Sequence, residues 1–500
     1  MAPPSSPQGF RLAPLRALLL ALPALSLLLL LTLHLPARHR PTPPPPAALP
    51  ITPLRATTTT AAAQRVKKAD PSSSSTPSPT TLSHVVFGIA STGRTLPKRL
   101  PLLRAWLRPP ARAFLYLDAL PRATATLPPN LHLRVSSDAS RFPYTHRRGL
   151  PSAVRVARIA KELLLELHRQ KQQHEHLRPR WLVLGDDDTV FVLPNLLGTL
   201  AKYDWREPWY LGARSESATQ NALHAFAMAF GGGGIAISWP LADRLARVLD
   251  SCIVRYPHLY GSDGRIYACL AELGVELTHE PGFHQIDLRG DISGLLRAHP
   301  LTPLVSLHHL DHVYPLYPGM DRSKAAEHFF RAANADPARI LQQTVCYDRS
   351  RSLTASVAWG YSVQVFKGNV PLLDLLAVQK TFVPWRRARN VTVTDAFMFN
   401  TKHYPRDECK RAALFFLKSI SSGEGKTKSN YSRQLPRKCL PNLIPLGNLQ
   451  QIQVTSELLH LVPGKALRRH CCDIIPSSSE TAMDINIRKC KDGELIAMHS

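Results

Sequence analysis

Apolar residues along positions 84–320 follow two alternating rhythms, short β-forming runs and longer stretches with helical spacing. "HVVFGIAST" (His84–Thr92) is an apolar run that closes in small residues, and it reads as a buried strand. In "LPKRLPLLRAWL" that follows, Leu100, Leu103 and Leu107 share one helical face. "RAFLYLDA" (Arg112–Ala119) and "NLHLRVSSD" (Asn130–Asp138) read as two more strands, and an amphipathic helix is predicted from about Ser152 to His174. That helix leads into the strand "WLVLGDDD". "FVLPNLLGTLAKYD" (Phe191–Asp204) reads as a strand remnant and a helix with Pro194 in its first turn. "PWYLGAR" is a short strand, and "AFAMAFGGGGIAIS" is an apolar segment broken by Gly231–Gly234. Two helices, "WPLADRLARVLDSC" and "GSDGRIYACLAELGV", precede a last strand, "PLVSLHHLDHVYP" (Pro303–Pro315), with a histidine cluster at its end. Strands alternating with helices predict an α/β sandwich with a mainly parallel sheet, whose ligands bind beyond the carboxyl ends of the strands. Past about residue 330 the pattern becomes β-rich, as in "SLTASVAWGYSVQVFKG" and "IQVTSELLHLV".

Composition changes the picture at the N-terminus. Residues 1–82 contain one acidic residue, Asp70, against eight Lys and Arg. Residues 17–33, "ALLLALPALSLLLLLTL", are almost wholly apolar, with Arg11 and Arg16 before them and Arg38 and Arg40 after. Three readings are open: a signal-anchor that leaves the basic tail in the cytosol, a cleaved signal peptide, and an organellar transit peptide. The long leucine run and the absence of a clean cleavage site favour the anchor. The Pro, Ser and Thr tracts that follow bury too little apolar surface to fold and read as an extended stalk. The chain thus divides into a cytosolic tail (1–16), a transmembrane signal-anchor (17–35), a disordered stalk (36–82), an α/β domain (83–330) and a β-rich, cysteine-containing domain (331–500).

The formal net charge is +26, which suggests an anionic partner. Lys and Arg are dispersed, and no zinc-finger spacing, RNP-type motif or basic zipper appears, so nucleic acid is not the expected partner. All eight cysteines lie in the second half and none forms a C-x-x-C pair, so disulfides are expected rather than a zinc or redox site. Sequons at Asn390 and Asn430 agree with a glycosylated, lumenal protein.

The stretch "WLVLGDDDTVFVLP" (Trp181–Pro194) poses the chemical question: three adjacent carboxylates end a run that reads as a buried strand. Burying like charges is costly unless something positive compensates. In extended backbone alternate side chains face one way, so Asp186 and Asp188 converge while Asp187 points elsewhere. Converging carboxylates suit a hard divalent cation, and a cation with few protein ligands keeps positions open for water or phosphate oxygens. The bland alternative is a solvated acidic turn.

"GDDDTVFV" (185–192), "FGGGGIAIS" (230–238), "GSDGRI" (261–266), "ELGV" (272–275) and "EPGFHQ" (280–285), in this order, resemble the fringe-like glycosyltransferases of family 31, most of all their plant branch. "TVCYDRS", "VAWGYSVQV" and "RRHCCDIIP" resemble that branch as well. The resemblance implies a GT-A nucleotide-sugar-binding sandwich and inverting transfer of a sugar from a UDP-sugar to a glycan or glycoprotein, of β-1,3 type. It also implies a single-pass type II Golgi membrane protein, with plastid or secreted placement as the alternative. It makes Asp186 and Asp188 the ligands of Mn²⁺ or another divalent cation, and His308 the third ligand, with His309 and His284 behind it. Asp187, Gly231, Gly232 and Gly233 join Asp186 and Asp188 at the donor, and Asp263 becomes the general base that takes the acceptor proton. Where animal fringe enzymes carry two adjacent acids, this chain has Asp263 and Gly264, which leaves a non-catalytic UDP- or sugar-binding relative as the alternative. Glu280 and Asp287 are reserve bases, and Trp205, Trp209, Tyr210 and Trp239 are candidate sugar platforms.

Overall fold

The computed structural model describes residues 78–121, 126–147, 149–171, 179–385, 397–462, 464–475, 479 and 481–496, all within one compact unit, Thr76–Ser500. From the N-terminal side come β1 (Val85–Ala90), the helix Leu96–Trp106, β2 (Arg112–Leu117), β3 (Leu131–Val135), the helix Ala153–Lys171, β4 (Trp181–Asp186), β5 (Val190–Phe191) and β6 (Tyr210–Gly212). β7 (Ile235–Ser238) follows, then the helices Trp239–Arg255 and Ser262–Glu272, β8 (Leu277–His279), β9 (Leu288–Gly290), β10 (Ser306–Leu307) and the helix Arg322–Ala335.

The central sheet has the order β3-β2-β1-β4-β7-β6-β8. It is buried on both faces, and the period of two sorts its side chains. Val85, Phe87, Ile89, Trp181 and Val183 enter one core. Val86, Ala90, Leu182 and Leu184 enter the other, under the helix Ala153–Lys171. That helix packs on Trp239–Arg255 and Ser262–Glu272, which the Cys252–Cys269 disulfide ties together.

The expected mainly parallel sandwich needs correction. β1, β2, β3 and β4 are parallel neighbours, but β7 runs antiparallel to both β4 and β6. The cause is local. The turn Gly231–Gly233 sits beside the carboxyl end of β4, held by Thr189 Oγ1 donating to Gly232 O at 2.7 Å. β7 therefore starts where β4 ends and has to run back. The expected last strand is also short: β10 pairs with β5 over two residues and stops before His309, whose φ of +59° breaks extended backbone.

β11 (Gln343–Asp348), β12 (Leu353–Ala358) and β13 (Ser362–Lys367) open the C-terminal sheet. The short strands β14 (Val378–Gln379), β15 (Phe382–Pro384) and β16 (Thr401–Lys402) stand outside it; β15 pairs antiparallel with β9. β17 (Ala413–Gly423), β18 (Lys426–Gln434), β19 (Gln451–Glu457), β20 (Cys471–Ile475) and β21 (Ala482–Arg488) complete it. Its order is β11-β12-β13-β17-β18-β19-β21-β20, antiparallel except at β19–β21. The two end strands pack side by side, and Cys346–Cys472 bonds them, so the sheet is a near-closed barrel. The fold is thus mixed α/β with a barrel, in place of the expected GT-A sandwich. All eight cysteines pair, the remaining bridges being Cys409–Cys439 and Cys471–Cys490.

The expected anchor at 17–35 lies outside the described residues, as does most of the stalk. Among the described residues no helix is long and apolar enough to cross a membrane. The longest, Ala153–Lys171, carries Arg155, Arg158, Lys161, Glu162 and Glu166, charges that hydrocarbon would not accept. The membrane partner, the type II topology and the Golgi-membrane placement that rested on the anchor are withdrawn.

Candidate functional site

β4 delivers the aspartates to the carboxyl end of the central sheet, with Asp186 in register beside Ala90 of β1. Beyond it the chain turns. The Thr189 amide donates to Asp186 O at 3.0 Å, and Thr189 Oγ1 accepts from the Asp186 amide at 2.9 Å. Asp187 turns away and accepts from Ser91 Oγ at 2.6 Å and Thr95 Oγ1 at 3.1 Å.

Two cations answer the cost of burying these charges. Arg99 lies 3.0 Å from Asp188 Oδ2 and 2.8 Å from Asp311, with its Nε 3.8 Å from Asp187. His308 Nε2 lies 3.1 Å from Asp188 Oδ1 and 3.6 Å from Asp186 Oδ2. Asp186 faces the pocket, yet enclosure by protein pushes its carboxyl up to about 7; His308 opposes the rise while Asp188, Asp187 and Asp263 add to it. Burial works against ionised Asp188, but His308 and Arg99 together hold it well below the usual carboxylate range. Burial opposes charge on His308 too, and Asp188 and Asp186 overcome it, raising the imidazole to about 9. A proton therefore stands between the carboxylates and the ring, where a divalent cation would serve the same electrostatic purpose.

The residues present fit such a cation. Ligand atoms of Asp188, His308 and His309 lie within 4.8 Å of one another, and so do those of Asp188, Asp311 and His312. His308 Nδ1 meets Gln285 O and His309 Nδ1 meets Ile286 O, each at 3.2 Å, so donation to those carbonyls leaves Nε2 of neutral His309 as the lone-pair nitrogen, and would leave Nε2 of His308 so once a cation displaces its proton. Burial, then the neighbouring His308 charge, lowers His309 to about 3 and keeps it neutral. Carboxylate oxygens with imidazole nitrogens suit Mn²⁺. The space for His308 comes from Gly232, where a Cβ would fall 2.1 Å from its ring.

A pocket of about 360 Å³ opens over this cluster, lined by Asp186, His308 and His309 together with Gly231, Asp263 and Tyr260. Asp263 is the second residue of the helix Ser262–Glu272, whose N-cap is Gly261. Its Oδ2 accepts from the Gly231 amide at 3.2 Å and its Oδ1 from the Gly264 amide at 2.8 Å. The Gly233 amide donates to Gln285 Oε1 at 2.6 Å. The Gly231 and Gly233 amides are thus spent on protein acceptors, and Gly232 gives room to His308. The structure does not bring His284 to the cluster. It lies 3.0 Å from Glu216 and 3.0 Å from His299, within a separate buried group. Glu280 is held by Lys202 and Tyr203, whereas Asp287 lines the pocket, where burial pushes it up to about 6. The pocket's aromatic lining is Phe230, Tyr260 and Trp385, and none of the four platforms expected from sequence. Asn390 lies outside the described residues; Asn430 is half-buried on β18, its amide 3.2 Å from Ser419 Oγ. Sequence reasoning missed Arg99, which follows a helical pattern like any other surface arginine, and Trp385, which comes from far along the chain.

The site is a buried His/Asp cluster able to coordinate a divalent cation, and it is sequence similarity that makes the chain glycosyltransferase-like. The chain belongs to the family described as "Protein of unknown function, DUF604", whose profile matches residues 220–472. It is distantly homologous to glycosyltransferases. Identity to the mouse β-1,3-glucosyltransferase is 33% over 112 residues, 22% of each chain. Identity to the human β-1,3-glucosyltransferase is 33% over 105 residues, 21% of this chain and 20% of the relative. The chain therefore matches about a fifth of the length of these relatives. These matches reach sugar-transfer enzymes in general terms and do not single out the fringe-like group.

Proposed function

We propose that the protein transfers a sugar, with inversion, from a UDP-sugar to a hydroxyl of a glycan or glycoprotein, in the fringe-like manner and with β-1,3 linkage. The observation that carries this reading is that Asp186, His308 and Asp263 line one pocket. Asp186, Asp188 and His308, with His309, would hold Mn²⁺, which when bound neutralises charge on the leaving diphosphate. Asp263 accepts the acceptor hydroxyl's proton as that oxygen attacks the anomeric carbon. Its two amide hydrogen bonds fix the carboxylate in the pocket before any substrate arrives.

A second reading, a UDP- or sugar-binding relative without turnover, draws on Gly264. A Cβ there would meet Leu259 at 3.8 Å and Met228 at 3.9 Å, ordinary contacts, so packing does not demand glycine. The missing second acid is then a chemical difference. Calorimetry and UDP release with a panel of UDP-sugars, with and without Mn²⁺, separate the two. Asp188→Ala is expected to abolish metal-dependent UDP binding. Asp263→Asn is expected to keep binding and lower turnover by about 10²-fold or more. Metal-dependent binding without turnover on any acceptor would select the binder, and no UDP binding by folded protein would sink the transferase and the UDP-binding form of the second reading.

A further inference from the structure

We propose that Trp385 is a positioning residue for the metal site: its indole face fixes the His309 imidazole as a ligand beside Asp188 and His308. The inference rests on the metal reading above and adds a residue from the far side of the chain.

His309 is an unusual place for a ligand. Its φ of +59° puts a bulky residue in the left-handed region, which persists only where surroundings over-determine it. Three contacts do so. Its Nδ1 lies 3.2 Å from Ile286 O, its ring stacks on His308 at 3.7 Å, and on Trp385 at 4.2 Å with only 5° between the planes. A hydrogen bond at one nitrogen leaves the ring free to swing about that bond, whereas a parallel stack fixes the plane. Trp385 is itself held. The guanidinium of Arg289 lies over it at 4.6 Å, His312 meets it edge-on at 5.2 Å, and its amide donates to Asp287 O at 3.1 Å. The β9–β15 pairing sets that register, with Pro384 opposite Leu288. Residues Phe382–Trp385 thus act as a strap that carries one indole to the pocket wall. Ligand orientation by such outer partners changes metal affinity by about 10- to 100-fold when the partner is removed.

The test uses the full chain and MnCl₂ alone. Trp385→Ala and Trp385→Leu remove the flat face, the second filling most of its volume, while Trp385→Phe keeps a stackable ring. Calorimetry is expected to show Mn²⁺ affinity about 10- to 100-fold weaker in the Ala and Leu variants, with Phe recovering most of the loss. Pulsed electron paramagnetic resonance of bound Mn²⁺ is expected to show couplings from two imidazole nitrogens in the parent and the Phe variant, and from one in the others. Parent-like affinity in folded Leu variant overturns the inference, as does weaker binding with both couplings intact, since His309 would then be held without the ring. No Mn²⁺ binding by the parent chain removes the metal reading itself and the inference with it.

Discussion

The carboxyl end of β4 and the interior of the barrel are both made of buried strand residues, yet they handle polarity in opposite ways. In the barrel, buried polar side chains of β18 are neutral and are satisfied by strand or turn neighbours. Thr427 meets Ser456 at 2.8 Å, Ser429 donates to Val454 O at 3.2 Å, and Tyr431 Oη accepts from the Gly360 amide at 2.9 Å. At the end of β4 the buried groups are charged and shared among segments far apart: Asp188 answers to Arg99 and His308 at once. A neutral, locally closed network specifies packing. A charged network with exchangeable partners can pass its electrostatic duty to a ligand, at the cost of remaining sensitive to every partner.

The largest expected effect tests the barrel side. Cys346–Cys472 closes a sequence separation of 126 residues and joins the two end strands. The double substitution Cys346→Ala, Cys472→Ala is expected to cost about 4 kcal/mol in denaturant unfolding, by freeing the unfolded chain. Mn²⁺ affinity should stay near the parent value, because neither cysteine touches the pocket. Loss of metal binding in the folded variant would show that barrel closure and site are one unit, and the contrast would fail.

A smaller effect probes the charged side. Arg99 is largely buried and neutralises Asp188, Asp187 and Asp311 together. Arg99→Met keeps much of the packing and leaves Asp188 to His308, Asp187 to the Ser91 and Thr95 hydroxyls, and Asp311 to His312 at 3.5 Å. A loss of about 2–3 kcal/mol is expected without metal, below the range for fully buried pairs because solvent reaches part of the site. Mn²⁺ should then stabilise the variant more than the parent, since binding to the native state alone adds stability by mass action. Equal stabilisation of the two would mean that cation and guanidinium do not answer to the same charges.

The same contrast explains what the sequence disclosed. Runs such as Val85–Ala90 and Trp181–Leu184 were legible because strands covered on both faces are continuously apolar. The aspartates were legible as a site because three charges closing such a run need a reason. The direction of β7 was not, since it depends on where the glycine turn docks. Barrel closure was not, since eight cysteines allow many pairings and the choice of Cys346 with Cys472 is made by strand order. Arg99 and Trp385 carry no local signal; each matters through a partner distant in sequence, Asp188 and His309.

The smallest effect sharpens the comparison most cleanly. Tyr431 is fully buried, and its hydroxyl accepts the Gly360 amide, which belongs to the turn between β12 and β13. Tyr431→Phe keeps the ring and strands that one amide, so the expected cost is about 1 kcal/mol, up to about 3 if no water or shift compensates. Gly360 cannot easily move to a new partner: its φ is +75°, and a Cβ there would meet Ile340 at 2.7 Å, so the turn is tightly enclosed. Denaturant unfolding reads the loss and calorimetry reads Mn²⁺ affinity, which should not change. A neutral network that is only packing predicts that pair of results. A Tyr431→Phe chain that folds as stably as the parent but binds Mn²⁺ more weakly would reverse the assignment, making the barrel's polar interior part of how the charged site is held.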